Sequence, residues 1–194
     1  MIEAETQSPR AATAGSRGRV LVLGLGNVLL GDDGVGPAAI ARLERDYRIP
    51  PAVRLVEGGT LGLLLLDEIA EAQHLILVDA VATGARPGSL VRLDGAEVMD
   101  AVRDRLSVHQ VGVADLLNAA RLIGRYPATV ALLGLAPGTI GLALARTPAV
   151  DDAIDTLVSA IVLELNTLGY ELAPQSSAPA RDRPIHALTR YFGM

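Results

Sequence analysis

Three short, uninterrupted apolar stretches constrain this chain most. Residues 19–23 (Arg-Val-Leu-Val-Leu) run into Gly24, residues 74–78 (His-Leu-Ile-Leu-Val) run into Asp79, and residues 129–133 (Thr-Val-Ala-Leu-Leu) run into Gly134. Continuous aliphatic runs of this length, closed by a glycine or an acid, read as strands buried on both faces. Residues 53–56 form a further short strand closed by Glu57-Gly58-Gly59-Thr60. Residues 89–93 alternate in polarity after Pro87-Gly88, as an edge strand does. Between the strands lie segments with helical spacing: residues 35–43 extending to Tyr47, residues 61–70, residues 111–122 with Gly124 as a stop, and residues 149–168. Thr147-Pro148 opens the last of these, where proline suits the first turn. Strands alternating with helices predict a three-layer α/β fold: a mostly parallel twisted sheet, helices on both faces, and one antiparallel edge strand. Ligands of such sheets bind outside the carboxyl ends of the strands, so Gly24, Glu57 and Asp79 are expected to face one crevice.

With 194 residues, half of them hydrophobic, the chain is long enough for one domain with a real core. We read residues 1–18 as a disordered N-terminal tail, 19–170 as a single α/β domain and 171–194 as a flexible C-terminal tail. One Phe, four Tyr and no Trp leave little to stack on bases, and a net charge of −5 without a basic block argues against nucleic acid. The absence of Cys removes disulfides, thiolate metal sites and a Cys nucleophile. The longest apolar runs are too short to cross a bilayer, and residues 1–18 lack the apolar centre of a signal peptide; a cytoplasmic protein that does not engage membranes is expected.

The most unusual stretch is Gly24-Leu25-Gly26-Asn27-Val28-Leu29-Leu30-Gly31-Asp32-Asp33-Gly34-Val35-Gly36. Gly24-x-Gly26 begins a dinucleotide fingerprint, and Glu57 could imitate its ribose-binding acid. The third glycine would fall at Leu29, however, and Asp32 and Asp33 put negative charge where phosphates need the opposite. One acid of the pair suits the N-cap of the following helix; the other is left beside the crevice. Asp79 taken alone closes a turn, and His109, in the loop Ser107-Val108-His109-Gln110, taken alone is a solvated surface residue. Together, two carboxylates and an imidazole make a site that suits nickel, zinc or iron. No Gly-x-Ser-x-Gly elbow and no His-Glu-x-x-His helix is present.

Four segments in order resemble the hydrogenase maturation endopeptidases: residues 24–36, Glu57-Gly58-Gly59-Thr60, Leu75-Ile76-Leu77-Val78-Asp79-Ala80, and Ser107-Val108-His109-Gln110-Val111-Gly112. The resemblance runs from about Val20 to about Leu168. It implies an endopeptidase that cleaves the C-terminal extension of the nickel–iron hydrogenase large-subunit precursor after nickel insertion. It also implies a nickel-recognising triad corresponding to Asp33, Asp79 and His109, in which Asp33 stands where some members have Glu. Nickel would then be supplied by the substrate, with no permanently bound cofactor, and the enzyme would be a metal-dependent aspartic-type or metallo-endopeptidase acting as a monomer. Either the metal activates the carbonyl or water, or an Asp is the general base. The rival readings are a non-catalytic nickel chaperone and a Rossmann-like nucleotide-binding module.

Overall fold

The computed structural model describes residues 18–59, 65–103 and 110–175. The chain runs through β1 (Val20–Leu25), α1 (Val35–Asp46), β2 (Tyr47–Arg48), β3 (Val53–Gly59), α2 (Leu66–Glu71), β4 (His74–Ala80) and β5 (Leu90–Asp94). It continues through α3 (Gly95–Arg103), α4 (Gln110–Leu122), β6 (Thr129–Leu135), α5 (Pro148–Thr167) and β7 (Ala173–Pro174). The main sheet has the order β3-β1-β4-β6-β5. Strands β3, β1, β4 and β6 are mutually parallel, and β5 joins β6 antiparallel at the edge, as its alternating pattern predicts.

Pleating explains why the central strands read as continuous apolar runs. Successive side chains leave opposite faces of the sheet, and here both faces are covered. Val20, Val22, Ile76, Val78, Leu133 and Leu135 pack beneath α1 and α5. Leu21, Leu23, Leu75, Leu77, Val130 and Leu132 pack beneath α2, α3 and α4. Each such fully buried aliphatic side chain contributes roughly 1.5–3 kcal/mol of transfer free energy. In α5 the buried Val150, Ile154, Leu157, Val158, Ile161 and Leu165 repeat at three and four residues, the stripe that carries this helix. Among the described residues no helix is long and apolar enough to cross a membrane.

The structure departs from the sequence reading at several points. Helix α3 was not expected; it follows β5 directly, and its short amphipathic stretch buries Val98, Met99 and Ala101. The second expected helix is present as α2 over Leu66–Glu71, and residues 60–64 lie outside the described residues. Neither Asp32 nor Asp33 caps α1: its N-cap is Gly34, with no side-chain cap. Past residue 170, Leu172 is buried and β7 pairs with β2, so the described fold continues to Gln175. Residues 1–17 and 176–194 lie outside the described residues.

Candidate active site

Strand β3 lies on one side of β1 and β4 on the other, so the connections leaving these strands diverge. The place where they part, beyond the strand ends, is the usual ligand position in open α/β sheets. The sequence places three glycines and two acids there. After β1 the chain turns at Gly26, whose φ of 118° belongs to glycine and whose Cβ position would lie 1.9 Å from the Asp33 carbonyl oxygen. It then passes through a 3-10 turn (Asp32–Gly34) into α1. Gly36 sets how close α1 comes. A Cβ on it would meet the Leu25 oxygen at 2.1 Å and the Val78 oxygen at 2.5 Å, both backbone atoms. The first turn of α1 thus rests on the ends of β1 and β4, and the 3-10 turn packs against β4.

This packing delivers Asp33 to the strand that carries Asp79. Both are buried, at 1% and 0% exposure. Asp33 Oδ2 accepts the Asn27 N–H at 2.8 Å, and Asn27 Oδ1 in turn accepts the Leu29 N–H at 2.9 Å. Asp79 Oδ1 accepts the Ala80 N–H at 2.8 Å. Burying charge without partners is costly, so these backbone donors are part of what keeps the two acids in place. By strand alternation Asp79 shares the face of Leu75, Leu77 and Val81, which lies under α4. His109 directly precedes α4 but lies outside the described residues. Among the described residues no cluster of three His, Cys, Asp or Glu side chains forms; the turn that carries Asp33 packs against the strand that carries Asp79. Glu57 stands apart. It is in register with Gly24 near the end of the outer strand β3, as the sequence predicts, but unlike Asp33 and Asp79 it is exposed. His74 hydrogen-bonds Thr129 Oγ1 at the opposite end of the sheet.

Asp32 does something the sequence did not disclose. Its Oδ2 accepts the N–H groups of Gly138 and Thr139 at 2.8 and 3.0 Å, and its Oδ1 accepts that of Thr147 at 2.6 Å. The Thr147 hydroxyl also donates to it, at 2.9 Å to Oδ2. Thr147 is the N-cap of α5 by position, yet its hydroxyl serves Asp32 rather than the helix. Burial pushes the Asp32 carboxyl upward, but the Thr139, Thr147 and Gly138 N–H groups and the Thr147 hydroxyl outweigh it and hold it below the ordinary carboxylate value. Four donors occupy the roughly four lone-pair positions of a carboxylate. Asp32 therefore has no capacity left for a metal or a water, while Asp33 accepts a donor from its own loop, the Asn27 N–H. The acids at the start of α1 also oppose a polyphosphate, which needs N–H donors and positive potential there.

A family model described as hydrogenase maturation protease matches residues 37–164. The hydrogenase 2 maturation protease of Escherichia coli K12 is 34% identical over 160 residues, covering 82% of this chain and 98% of that protein. A hydrogenase expression/formation protein, HupD, of Rhodobacter capsulatus is 38% identical over 156 residues, covering 79% of this chain and 74% of that one. Among solved structures, the hydrogenase maturating endopeptidase HybD from E. coli superposes with a TM-score of 0.79 at 35% identity, covering 82% of this chain and 99% of that one. A [NiFe] hydrogenase maturation protease from Thermococcus kodakarensis superposes with a TM-score of 0.62 at 26% identity, covering 76% of this chain and 98% of that one.

Proposed function

This chain belongs to the hydrogenase maturation protease family, and from that premise we propose that it is the endopeptidase that removes the C-terminal extension of a nickel–iron hydrogenase large-subunit precursor once nickel is in place. Asp33, Asp79 and His109 read the nickel that the precursor carries. The observation that supports this most is the burial of both Asp33 and Asp79, carried on a turn and a strand that pack together at the strand switch, with Asp32 committed to the segment before α5. Two carboxylates and one imidazole, without a cysteine in the chain, are oxygen and nitrogen donors that hold free metal weakly. Such a set gains strength when thiolates of the precursor complete the coordination, so metal selectivity and substrate selectivity become one event.

The precursor's nickel supplies Lewis-acid polarisation at the scissile carbonyl. Alternatively Asp33 or Asp79 takes the proton from the attacking water. In both routes the acids orient the precursor's metal-bearing end so that the adjacent peptide bond lies over the strand ends. We assign the step to the cytoplasm and to a monomeric enzyme.

Equal amounts of enzyme with nickel-loaded precursor, nickel-free precursor and casein test the reading, with product masses measured. Only the nickel-loaded precursor should be cut. Cleavage of casein or of the nickel-free form at the same rate would leave an ordinary protease. Nickel binding without peptide release would make the protein a chaperone.

A further inference from the structure

Among the described residues, seven large apolar side chains stand exposed, and five of them share one place. Val28 and Leu29 lie in the loop after β1; Ile140, Leu142 and Leu144 lie in the segment between β6 and α5. The two segments are joined through backbone. Gly31 N–H donates to Ala143 O at 2.8 Å and Ala143 N–H to Leu29 O at 3.0 Å, while Gly141 N–H donates to Leu30 O and Asp32 N–H to Thr139 O. Bridges pair Leu30 with Ala143 and Gly31 with Ile140. Asp32 fastens both ends of the second segment, at Gly138 and Thr139 and at Thr147. A firmly held backbone thus displays leucines at 89% and 83% exposure. Holding such a loop ordered beforehand lowers the entropy cost of binding to it.

We infer that this platform is the docking surface for an uncharged aliphatic segment of the precursor next to the scissile bond. The inference rests on the protease reading above and names what lies beside the acids. Continuity is the first argument: the platform's Gly31 directly precedes the 3-10 turn that holds Asp32 and Asp33, so the platform adjoins the turn that carries a candidate site acid. Charge is the second. Residues 27–31 and 138–145 contain no Asp, Glu, Lys or Arg, in a chain where a fifth of residues are charged. Such a face selects an uncharged partner and penalises a charged one by desolvation. Size is the third: five side chains expose well under the ~800 Å² per partner that a stable dimer buries, but enough for a few peptide residues. The other two exposed aliphatics, Leu122 and Ile123, lie at the far end of the molecule, where α4 ends before β6 begins.

The test is steady-state processing of nickel-loaded precursor by wild type, by the double variant Leu142→Ser/Leu144→Ser, and by Leu122→Ser. The double variant should raise KM at least about tenfold with kcat within about twofold and an unchanged melting curve, the pattern of lost ground-state binding. Leu122→Ser should match wild type. Cleavage by wild type together with an unchanged KM in the double variant overturns the platform and leaves the protease reading standing. A wild-type dimer in sedimentation that the double variant dissociates, with KM unchanged, makes the platform a contact between copies and also overturns it. Absence of cleavage by wild type overturns the parent reading and this assignment with it.

Discussion

Asp32 and Asp33 are neighbours in one 3-10 turn and both buried, yet their hydrogen bonds tie them to different regions of the molecule. The hydrogen bonds of Asp32 reach 106 to 115 residues along the chain and bind the segment before α5 to the loop after β1. The backbone donor to Asp33 comes from Asn27, six residues away, inside its own loop. One acid closes the tertiary structure; the other takes a donor from its own loop, in the turn that packs against the strand of Asp79. Two identical side chains one residue apart thus divide into a clamp and a candidate ligand, because successive residues of a tight turn face different surroundings. Acidity alone does not identify a site acid: Asp32 is as acidic as its neighbour, yet its carboxylate is committed to four donors of the segment before α5.

The largest effect should come from the crevice. Asp33→Asn, Asp79→Asn and His109→Ala should each lower processing by ~10³-fold, the size of loss seen when a group acting on the reacting centre is removed. Melting curves should stay close to wild type, since the amides keep the acceptor oxygens for Asn27 and Ala80. Precursor mass and circular dichroism together check this; three fully active variants would erase the distinction between the two acids.

Next comes the clamp. Asp32→Ala leaves the Gly138, Thr139 and Thr147 N–H groups without their acceptor, and should cost about 3 kcal/mol. In a domain of this size that lowers Tm by roughly 6–12 °C. The folded fraction should still cut precursor, with KM raised. If Asp32→Ala abolished cleavage without moving Tm, while Asp33→Ala was active, the two roles would be exchanged.

Gly36→Ala probes the packing that brings the regions together. The added methyl meets backbone atoms of Leu25 and Val78, which cannot rotate away. A loss of about 2 kcal/mol is expected, read by urea unfolding. Wild-type stability would mean that α1 can lift off the strand ends without cost.

The smallest effect is in pH. The folded Asp32 carboxyl titrates below its ordinary value of 3.8. Its stabilising contribution is therefore fully present above that value and is lost as pH falls through the lower, folded one. The Tm difference between wild type and Asp32→Asn should be constant from pH 7 to pH 5 and shrink below about pH 4. A difference that persists unchanged to pH 2.5 would show that the clamp works through shape rather than charge.

Much of the fold was legible because it is written in short-range pattern. Unbroken runs such as Leu75-Ile76-Leu77-Val78 name strands covered on both faces, and Ser89-Leu90-Val91-Arg92-Leu93 names the edge. Pro148 marks where α5 begins. The four motif segments in order, with Asp33 and Asp79 at the ends of strand-bearing segments, carried the family and pointed to the two acids that the structure places at the strand switch. What the sequence could not carry was any partnership between distant residues. One acid of the Asp32–Asp33 pair reads as a helix cap because capping is a common local use of an aspartate before a helix, and nothing local shows what Asp32 does. Its real partners at Gly138, Thr139 and Thr147 become neighbours only once β6 is laid beside β4 and α5 is folded back against α1. The aliphatic residues of 138–145 carry no pattern that assigns them to core or surface, and only the folded chain shows that Leu142 and Leu144 remain outside. Periodicity reports how a segment is covered by its own element; which carboxylate is saturated and which apolar surface stays bare depend on contacts more than a hundred residues apart, and those are decided by tertiary packing.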